Sequence, residues 1–596
     1  MDETQISILH LLYERLSKKS GILRAVVPPV ELAKNRSLEA FCGWTKRRGF
    51  FRISSLLRIQ WCSKRARSAM TNFPVLLAGQ WREAAAAGSF QAMDPSTGKL
   101  IEGDYPVSSR ADLETAVEAA AGAADALLDF EVGARAAFLE AYADRIDANA
   151  DEIAEMASRE TGLPLSPRLR DVELPRTTGQ LRQAAAAARE GTWMEATIDT
   201  ETNIRSRLGP LGGAVAIFGP NNFPLAFNGI SGGDFAAAIA AGNPVIAKAH
   251  SSHPGTSRLL AEQAHAALED TGLPPATVQM LYRLSHEDGE LLVSHPAIGA
   301  TGYTGARSSG LTLKAAADKA GKPIYLELSS INPIFILPRA LESRGEELVG
   351  EYVTSVLMGA GQFCTNPGIT VVVASESSRQ FISGATAGFE ETEPGCLLGE
   401  RVVAGLGESV EALVACGAEL LTGGAPADGA GFRFQNTLLQ VSGENFLLQP
   451  EALQREAFGN AGLIVEAADE AELVEISNVF EGNLTGSIYS CAEGGDDALY
   501  ASISRNLRSR VGRLLNDKMP TGVAVSSAMN HGGPFPATGH PGFTAVGIPG
   551  SIRRFAALEC YDNVRADRLP VELGDRNPWA GLYRLVDGRW SGEDVS

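Results

Sequence analysis

Cysteine is scarce. The chain carries seven in 596 residues, no two of them form a CxxC pair, and a disulfide framework is excluded. Thiols this sparse fit a reducing compartment, so a cytoplasmic protein is expected, with no metal site. Long hydrophobic runs are also missing: no stretch reaches the ~18 apolar residues of a transmembrane helix, and no membrane partner is expected. Positive charge is in deficit, with 52 Lys and Arg against 71 Asp and Glu and a net charge of −19. An acidic body argues against nucleic acid, whose phosphates want a basic face. What remains is ordinary for globular chains, 44% hydrophobic and 21% charged residues, enough for about three or four structural units.

The charge is unevenly spread. Residues 1–69 hold 14 Lys and Arg against 5 Asp and Glu, while the rest holds 38 against 66. This basic stretch has no signal-peptide order, and its acids Glu3, Glu14, Glu31 and Glu39 oppose a transit peptide. The expectation is an atypical N-terminal extension, disordered or a start-site artefact, with the domain beginning near Met70. An extra helix or partner-binding segment is the alternative, and targeting a third reading.

From Phe73 the pattern changes to short strands with turns at Asp94-Pro95 and Thr97-Gly98. Residues 110–190 read as helical, and Ser109 and Asp112 flank a helix start. Residues 213–250 give an apolar strand, a Gly/Pro/Asn loop, an Ala-rich helix at about 229–241 and a second apolar strand. That is a β-α-β unit and implies a parallel sheet. The alternation continues through strands near 278–282, 299–303, 324–328, 334–337, 369–374 and 461–465. Two α/β lobes follow, with the break near 327–335 at Asn332-Pro333.

Four loops carry chemistry. Cys364, in Gly361-Gln362-Phe363-Cys364-Thr365-Asn366-Pro367-Gly368, sits between a helix and a strand among Gly and polar residues. That setting suits a nucleophile better than a structural thiol, and Cys396, Cys416, Cys491 and Cys560 lack it. Glu327 closes the apolar strand Tyr325-Leu326-Glu327-Leu328. At a strand's C-terminal end, where ligands collect in open α/β sheets, it is either a general base or a salt-bridged strand-end acid. Asn222, in Phe218-Gly219-Pro220-Asn221-Asn222-Phe223-Pro224, is an oxyanion donor or a turn residue. The loop from Tyr303 to Gly310 leads from strand to helix, where backbone N–H groups attract phosphate. It matches neither common nucleotide fingerprint and is weak by itself.

The order NNFP, IAKAH, YTGARSSG, LELSS, GQFCTNPG and EAFGN resembles the aldehyde dehydrogenase superfamily over about 70–575. KAHSSHPGTS, ELSSINPIF, HGGPFPATGHP and the tail CYDNVRADRLPVELGDRNP are similar to its α-ketoglutaric semialdehyde (2,5-dioxopentanoate) dehydrogenase branch, with NADP-dependent fatty aldehyde dehydrogenases as relatives.

The resemblance implies an α/β fold with a Rossmann-like cofactor domain, an α/β catalytic domain and a small β oligomerisation extension. The boundaries it suggests are 70–328 for cofactor binding, with oligomerisation strands inserted at 190–208, and 329–535 for catalysis. Residues 536–596 would return to the cofactor domain and form an oligomerisation tail. Cys364 matches the nucleophile, Glu327 the general base and Asn222 the oxyanion donor, joined by the Cys364 N–H. Lys248 matches the ribose-contacting lysine, Gly305 and Gly310 the nucleotide-loop glycines, and Glu456 and Phe458 the residues around the nicotinamide ribose and ring. His531 falls where the branch places a histidine near the nicotinamide; a hydrogen-bonded turn histidine is the other reading. Ser251 stands where NAD-preferring members often carry Glu. Losing that carboxylate removes repulsion against a 2′-phosphate, so NADP is expected, with NAD possible and with Lys248 and His286 adding positive character. A small-molecule aldehyde is the expected substrate, and a homodimer or homotetramer the expected assembly.

Asn221, Asn460 and Arg307 depart from the pattern, and the span between Trp193 and Gly209 looks short. Three rival functions stay open: a long-chain or aromatic aldehyde as substrate, acyl transfer to coenzyme A (which Glu327 opposes), and a non-catalytic relative of the fold.

Overall fold

Burial on both faces explains the apolar strands. All five residues of Ala214–Phe218 are buried, as a parallel strand covered by helices on either side requires. The structure, a computed structural model, describes residues 72–595; the expectations for residues 1–69 lie outside them. In the first sheet Ile324–Glu327, Ile298–Thr304, Ala214–Phe218, Val245–Lys248 and Val278–Leu281 run parallel in that spatial order, and Val75–Leu77 and Gln80–Arg82 complete it antiparallel. Chain order therefore reverses between Ala214–Phe218 and Ile298–Thr304. In a doubly wound sheet that is where a crevice opens beyond the strand ends. The NNFP loop and the loop before Gly310 both leave from it.

Helices Arg110–Leu127, Val132–Ala148, Ala150–Thr161 and Leu174–Glu190 fill the expected helical region. The first begins as the sequence suggests: the Ser109 hydroxyl accepts from the Asp112 N–H, and the Asp112 carboxylate accepts from the Ser109 N–H at 2.9 Å. The Ala-rich helix starts later than expected, at Gly233, because residues 219–232 are held in irregular turns by buried groups such as Asn228 and Ser231.

The second sheet orders Glu419–Thr422, Thr437–Ser442, Ala461–Ala467, Ile369–Val373, Ile334–Ile336, Asn483–Tyr489 and Val511–Asn516. Thus the chain passes from the first sheet to the second between Glu327 and Ile334, the stretch that contains Asn332-Pro333. The chain later returns to the first sheet: Leu328 N–H donates to Ala537 O at 2.8 Å and Gly539 N–H to Leu326 O at 3.0 Å.

A third sheet joins Ala556–Asp562, Ile204–Pro210, Thr197–Asp199, Arg584–Val586 and Arg589–Ser591. Its last two strands lie beyond residue 575, where the sequence resemblance stops. Ala556–Asp562 is an edge strand, and it exposes 74% of Leu558.

Candidate active site

Glu327 ends a strand of the first sheet and Cys364 lies in a loop of the second lobe, so only the packing of the lobes brings them together. His531, on the returning chain, joins them. Its Nε2 lies 2.9 Å from Glu327 Oε1 and 3.3 Å from Cys364 Sγ. Sulfur, carboxylate oxygen and ring nitrogen all fall within 4.8 Å of one another. Glu327 and His531 are each 1% exposed, and Glu327 Oε2 is buried with no hydrogen-bond partner among the described residues. A carboxylate oxygen left bare at such a site is available to a water or a reacting group. Burial pushes the Cys364 thiol well above its ordinary pKa. The Glu327 charge adds to this and the Arg176 guanidinium opposes it.

The nucleophile loop is shaped by backbone geometry. Gly359, Ala360 and Gly361 all have positive φ (58°, 55° and 69°), and a side chain at Gly361 would run into the Gly459 carbonyl. The Gln362 amide fixes the loop from the other side, donating to Gly359 O and Cys396 O at 3.1 Å and accepting from Leu398 N–H at 2.8 Å. Asn332, buried with φ 48°, donates to Cys364 O and Asn366 O at 2.9 Å. Sequence reasoning saw Asn332 only as a lobe boundary, and an Asn in a left-handed turn before Pro333 was its one signal.

Asn222 is buried across from this loop, and its Nδ2 donates to Gln362 O at 3.0 Å. Cys364 N–H donates to no group among the described residues. Arg168 holds the Asn222 segment by donating to Asn222 O at 3.1 Å. Arg168 is itself paired with the buried Glu173, whose Oε1 accepts from Leu225 and Ala226 N–H at 2.8 and 2.9 Å.

The expected cofactor residues divide between two places. Lys248 ends strand Val245–Lys248, with Ser251 in the turn that follows. The Lys248 ammonium makes no hydrogen bond or ion pair among the described residues, and burial together with Arg283 pushes its pKa down to about 8. Arg283 is thus a cation close enough to be felt by Lys248. Register explains this, because Lys248 pairs with Leu281, two residues before Arg283. Gly305 N–H donates to Glu327 O at 3.1 Å, and Gly310 opens helix Arg307–Lys319 so tightly that a Cβ would lie 2.5 Å from Leu328. Arg307 is turned out of the nucleotide loop, pairing with Glu481 at 3.1 Å. Glu456 and Phe458 line a small cavity with Phe363 and Gly361. Burial raises Glu456 to about 7, against the Ser329 hydroxyl and the Ser330 backbone. Asn460, in place of the usual Pro, is buried and donates to Phe434 O at 2.8 Å and Asn436 Oδ1 at 2.7 Å, tying the Phe458 loop to the second sheet.

The family model described as "Aldehyde dehydrogenase family" matches residues 81–514. The chain belongs to the aldehyde dehydrogenase family. It is 39% identical over 525 residues to alpha-ketoglutaric semialdehyde dehydrogenase 2 of Azospirillum brasilense, covering 86% of this chain and 98% of that one. It is 36% identical over 494 residues to the alpha-ketoglutaric semialdehyde dehydrogenase of Acinetobacter baylyi, covering 80% and 92%. Among solved structures, an NAD+ complex of aldehyde dehydrogenase from Bacillus cereus aligns with TM-score 0.71 at 18% identity, covering 82% of this chain and 96% of that one. That likeness shows the fold. This aldehyde dehydrogenase is therefore an oxidoreductase that uses a nicotinamide cofactor, and no helix among its described residues is long and apolar enough to cross a membrane.

Proposed function

We propose that the enzyme oxidises 2,5-dioxopentanoate (α-ketoglutaric semialdehyde) to 2-oxoglutarate with NADP⁺ in preference to NAD⁺. One observation carries the chemistry: a thiol and a carboxylate from different lobes converge on one histidine within 4.8 Å. The names of the Azospirillum and Acinetobacter relatives support the substrate.

Cys364 Sγ attacks the aldehyde carbon, and its proton passes to the His531–Glu327 pair beside it. The carbonyl oxygen, now an oxyanion, is received by the free N–H of Cys364 and the second N–H of Asn222. A nicotinamide cofactor held by the residues named below would supply the hydride acceptor. The acyl group is left as a thioester on Cys364. Glu327, with Oε2 bare, takes a proton from water, and the resulting hydroxide cleaves the thioester to carboxylate and thiol. Retention of this water activator argues against transfer to coenzyme A.

The cofactor fits on physical grounds. A half-buried ammonium without a partner at Lys248 calls for a hydroxyl or phosphate ligand, and Arg283 and Ser251 beside it add a second cation and a hydroxyl donor. Gly305, Gly310, Glu456 and Phe458 would complete the cofactor groove, making 70–328 the cofactor-binding part and 329–535 the catalytic part. The open edge at Ala556–Asp562, with Leu558 outward, supports a homodimer or homotetramer formed by strand pairing.

The test follows absorbance at 340 nm with NADP⁺ or NAD⁺ and 2,5-dioxopentanoate, hexanal or benzaldehyde, with Cys364→Ala as control. Turnover of the dioxo acid that is lost in the variant is expected. Activity confined to simple aldehydes would overturn the substrate, and activity surviving in Cys364→Ala would overturn the nucleophile.

A further inference from the structure

Two arginines whose charges reach Cys364 form no ion pair among the described residues. Arg176, in helix Leu174–Glu190, and Arg513, in strand Val511–Asn516, come from opposite lobes and reach one stretch of chain. Arg176 Nη1 donates to Val523 O at 3.0 Å. Arg513 Nη2 donates to Pro520 O at 3.1 Å and its Nη1 to Gly522 O at 3.5 Å. The same stretch touches the nucleophile loop, because Gly522 N–H donates to Thr365 Oγ1 at 3.3 Å. Arg176 also lies over an aromatic patch, 5.1 Å from the Phe227 ring and 5.8 Å from that of Phe223. Phe223 follows Asn222 and meets Phe363, next to Cys364, at 5.6 Å; Phe227 meets the His531 ring at 5.8 Å. Arg176 therefore packs on the aromatic rings that flank Asn222, Cys364 and His531.

The contrast with Arg168 identifies what is missing. Arg168 covers the same patch, 4.4 Å from Phe223, but it is ion-paired with Glu173 and donates to Asn222 O, so only its Nε lacks a partner among the described residues. Neither Arg176 nor Arg513 forms an ion pair among the described residues, and Arg176 Nε and Nη2 are buried without any partner. Burying guanidinium donors unsatisfied is costly unless a ligand completes them, and a planar fork is the geometry that receives a carboxylate.

We propose that Arg176 and Arg513 together bind the carboxylate at the far end of the substrate and so select short aldehydes that carry an acid over neutral ones. This rests on the substrate reading above. The competing role for these cations is to stabilise the Cys364 thiolate, which both feel.

The experiment measures kcat/KM for 2,5-dioxopentanoate, 4-oxobutanoate and hexanal in the wild type and in Arg176→Gln, Arg176→Lys and Arg513→Gln. It adds inhibition of hexanal oxidation by glutarate and the rate of Cys364 alkylation by neutral iodoacetamide. Removing one charged hydrogen-bond donor should lower the ratio of oxo-acid to hexanal kcat/KM by about 10- to 100-fold. The loss should fall on KM, Arg176→Lys should lie between, and glutarate inhibition should weaken in parallel. In the wild type, where folding is not in question, glutarate should slow alkylation. Equal losses on all three aldehydes with slower alkylation would overturn the clamp in favour of thiol tuning. A wild type that prefers the oxo acids while the Gln variants keep the same ratio would overturn the clamp and leave the substrate reading intact. A wild type with no preference for oxo acids and no response to glutarate would overturn both.

Discussion

Replacing His531 by alanine removes a group that touches both Glu327 and Cys364, at 2.9 and 3.3 Å. The thiol already has a pKa well above the ordinary value through burial and the Glu327 charge. Loss of a hydrogen bond to a charged group costs about 1.5–3 kcal/mol. At about 1.4 kcal/mol per pH unit, the thiol pKa should climb by roughly 1–2 more units. Baring Glu327 Oε1 acts in the same direction, since its charge then faces the sulfur unshared. Below its pKa the thiolate fraction rises about tenfold per pH unit, so alkylation of Cys364 by iodoacetamide should speed up steadily from pH 6 to 9 in the wild type. In His531→Ala the same rising line should lie about 10- to 100-fold lower at each pH, with His531→Gln between. Superimposable lines would refute a coupled thiol–histidine–carboxylate site and leave His531 a turn residue. The assay needs neither substrate nor cofactor, so it tests the site apart from the proposed reaction.

Glu327→Gln should have opposite effects on two steps. Alkylation of Cys364 becomes faster because the charge that raises its pKa is gone, while steady-state turnover falls by about 10²–10⁴ and a first burst of reduced cofactor remains. Arg283→Gln should raise KM for NADP⁺ by about 10- to 100-fold with a smaller change for NAD⁺; equal changes would remove Arg283 from the 2′-phosphate. Lys248 has a pKa near 8, and a phosphate favours its charged form, so the Kd for NADP⁺ should weaken as pH rises through that value; Lys248→Met should flatten the dependence, measured by fluorescence titration. Asn332→Ala takes the donor from Cys364 O and Asn366 O and places alanine at φ 48°. It should destabilise by about 3–5 kcal/mol, seen as a lower urea midpoint.

Period and punctuation made much of the fold legible. The apolar strand at 214–218 and the glycine loops after it announce a parallel α/β lobe, and Ser109 with Asp112 marks a helix start that the structure reproduces as a reciprocal cap. Strands Asn483–Tyr489, Val511–Asn516 and those after residue 575 escaped notice. Asn483–Tyr489 mixes polar residues into a strand whose seven positions are all buried; its Thr485 hydroxyl is satisfied by Asn332 at 3.0 Å, a partner no local pattern predicts. Departures from the family pattern became intelligible only through contacts, as Arg307 with Glu481 and Asn460 with Asn436 show.

The sequence by itself determined the chemical types available: a thiol in a glycine loop, an acid at a strand end, an amide in a turn, and a missing carboxylate at Ser251. Those are local facts, set by the residue and its immediate neighbours. Tertiary structure decided which of them meet. Cys364, Glu327 and His531 lie on three separate stretches of chain, and their convergence depends on two sheets packing and a late segment returning across both. Charge balance was decided there as well. Whether an arginine is consumed, like Arg168 by Glu173, or left open, like Arg176, depends on what the fold places within about 4 Å of it, and spacing along the chain does not contain that distance.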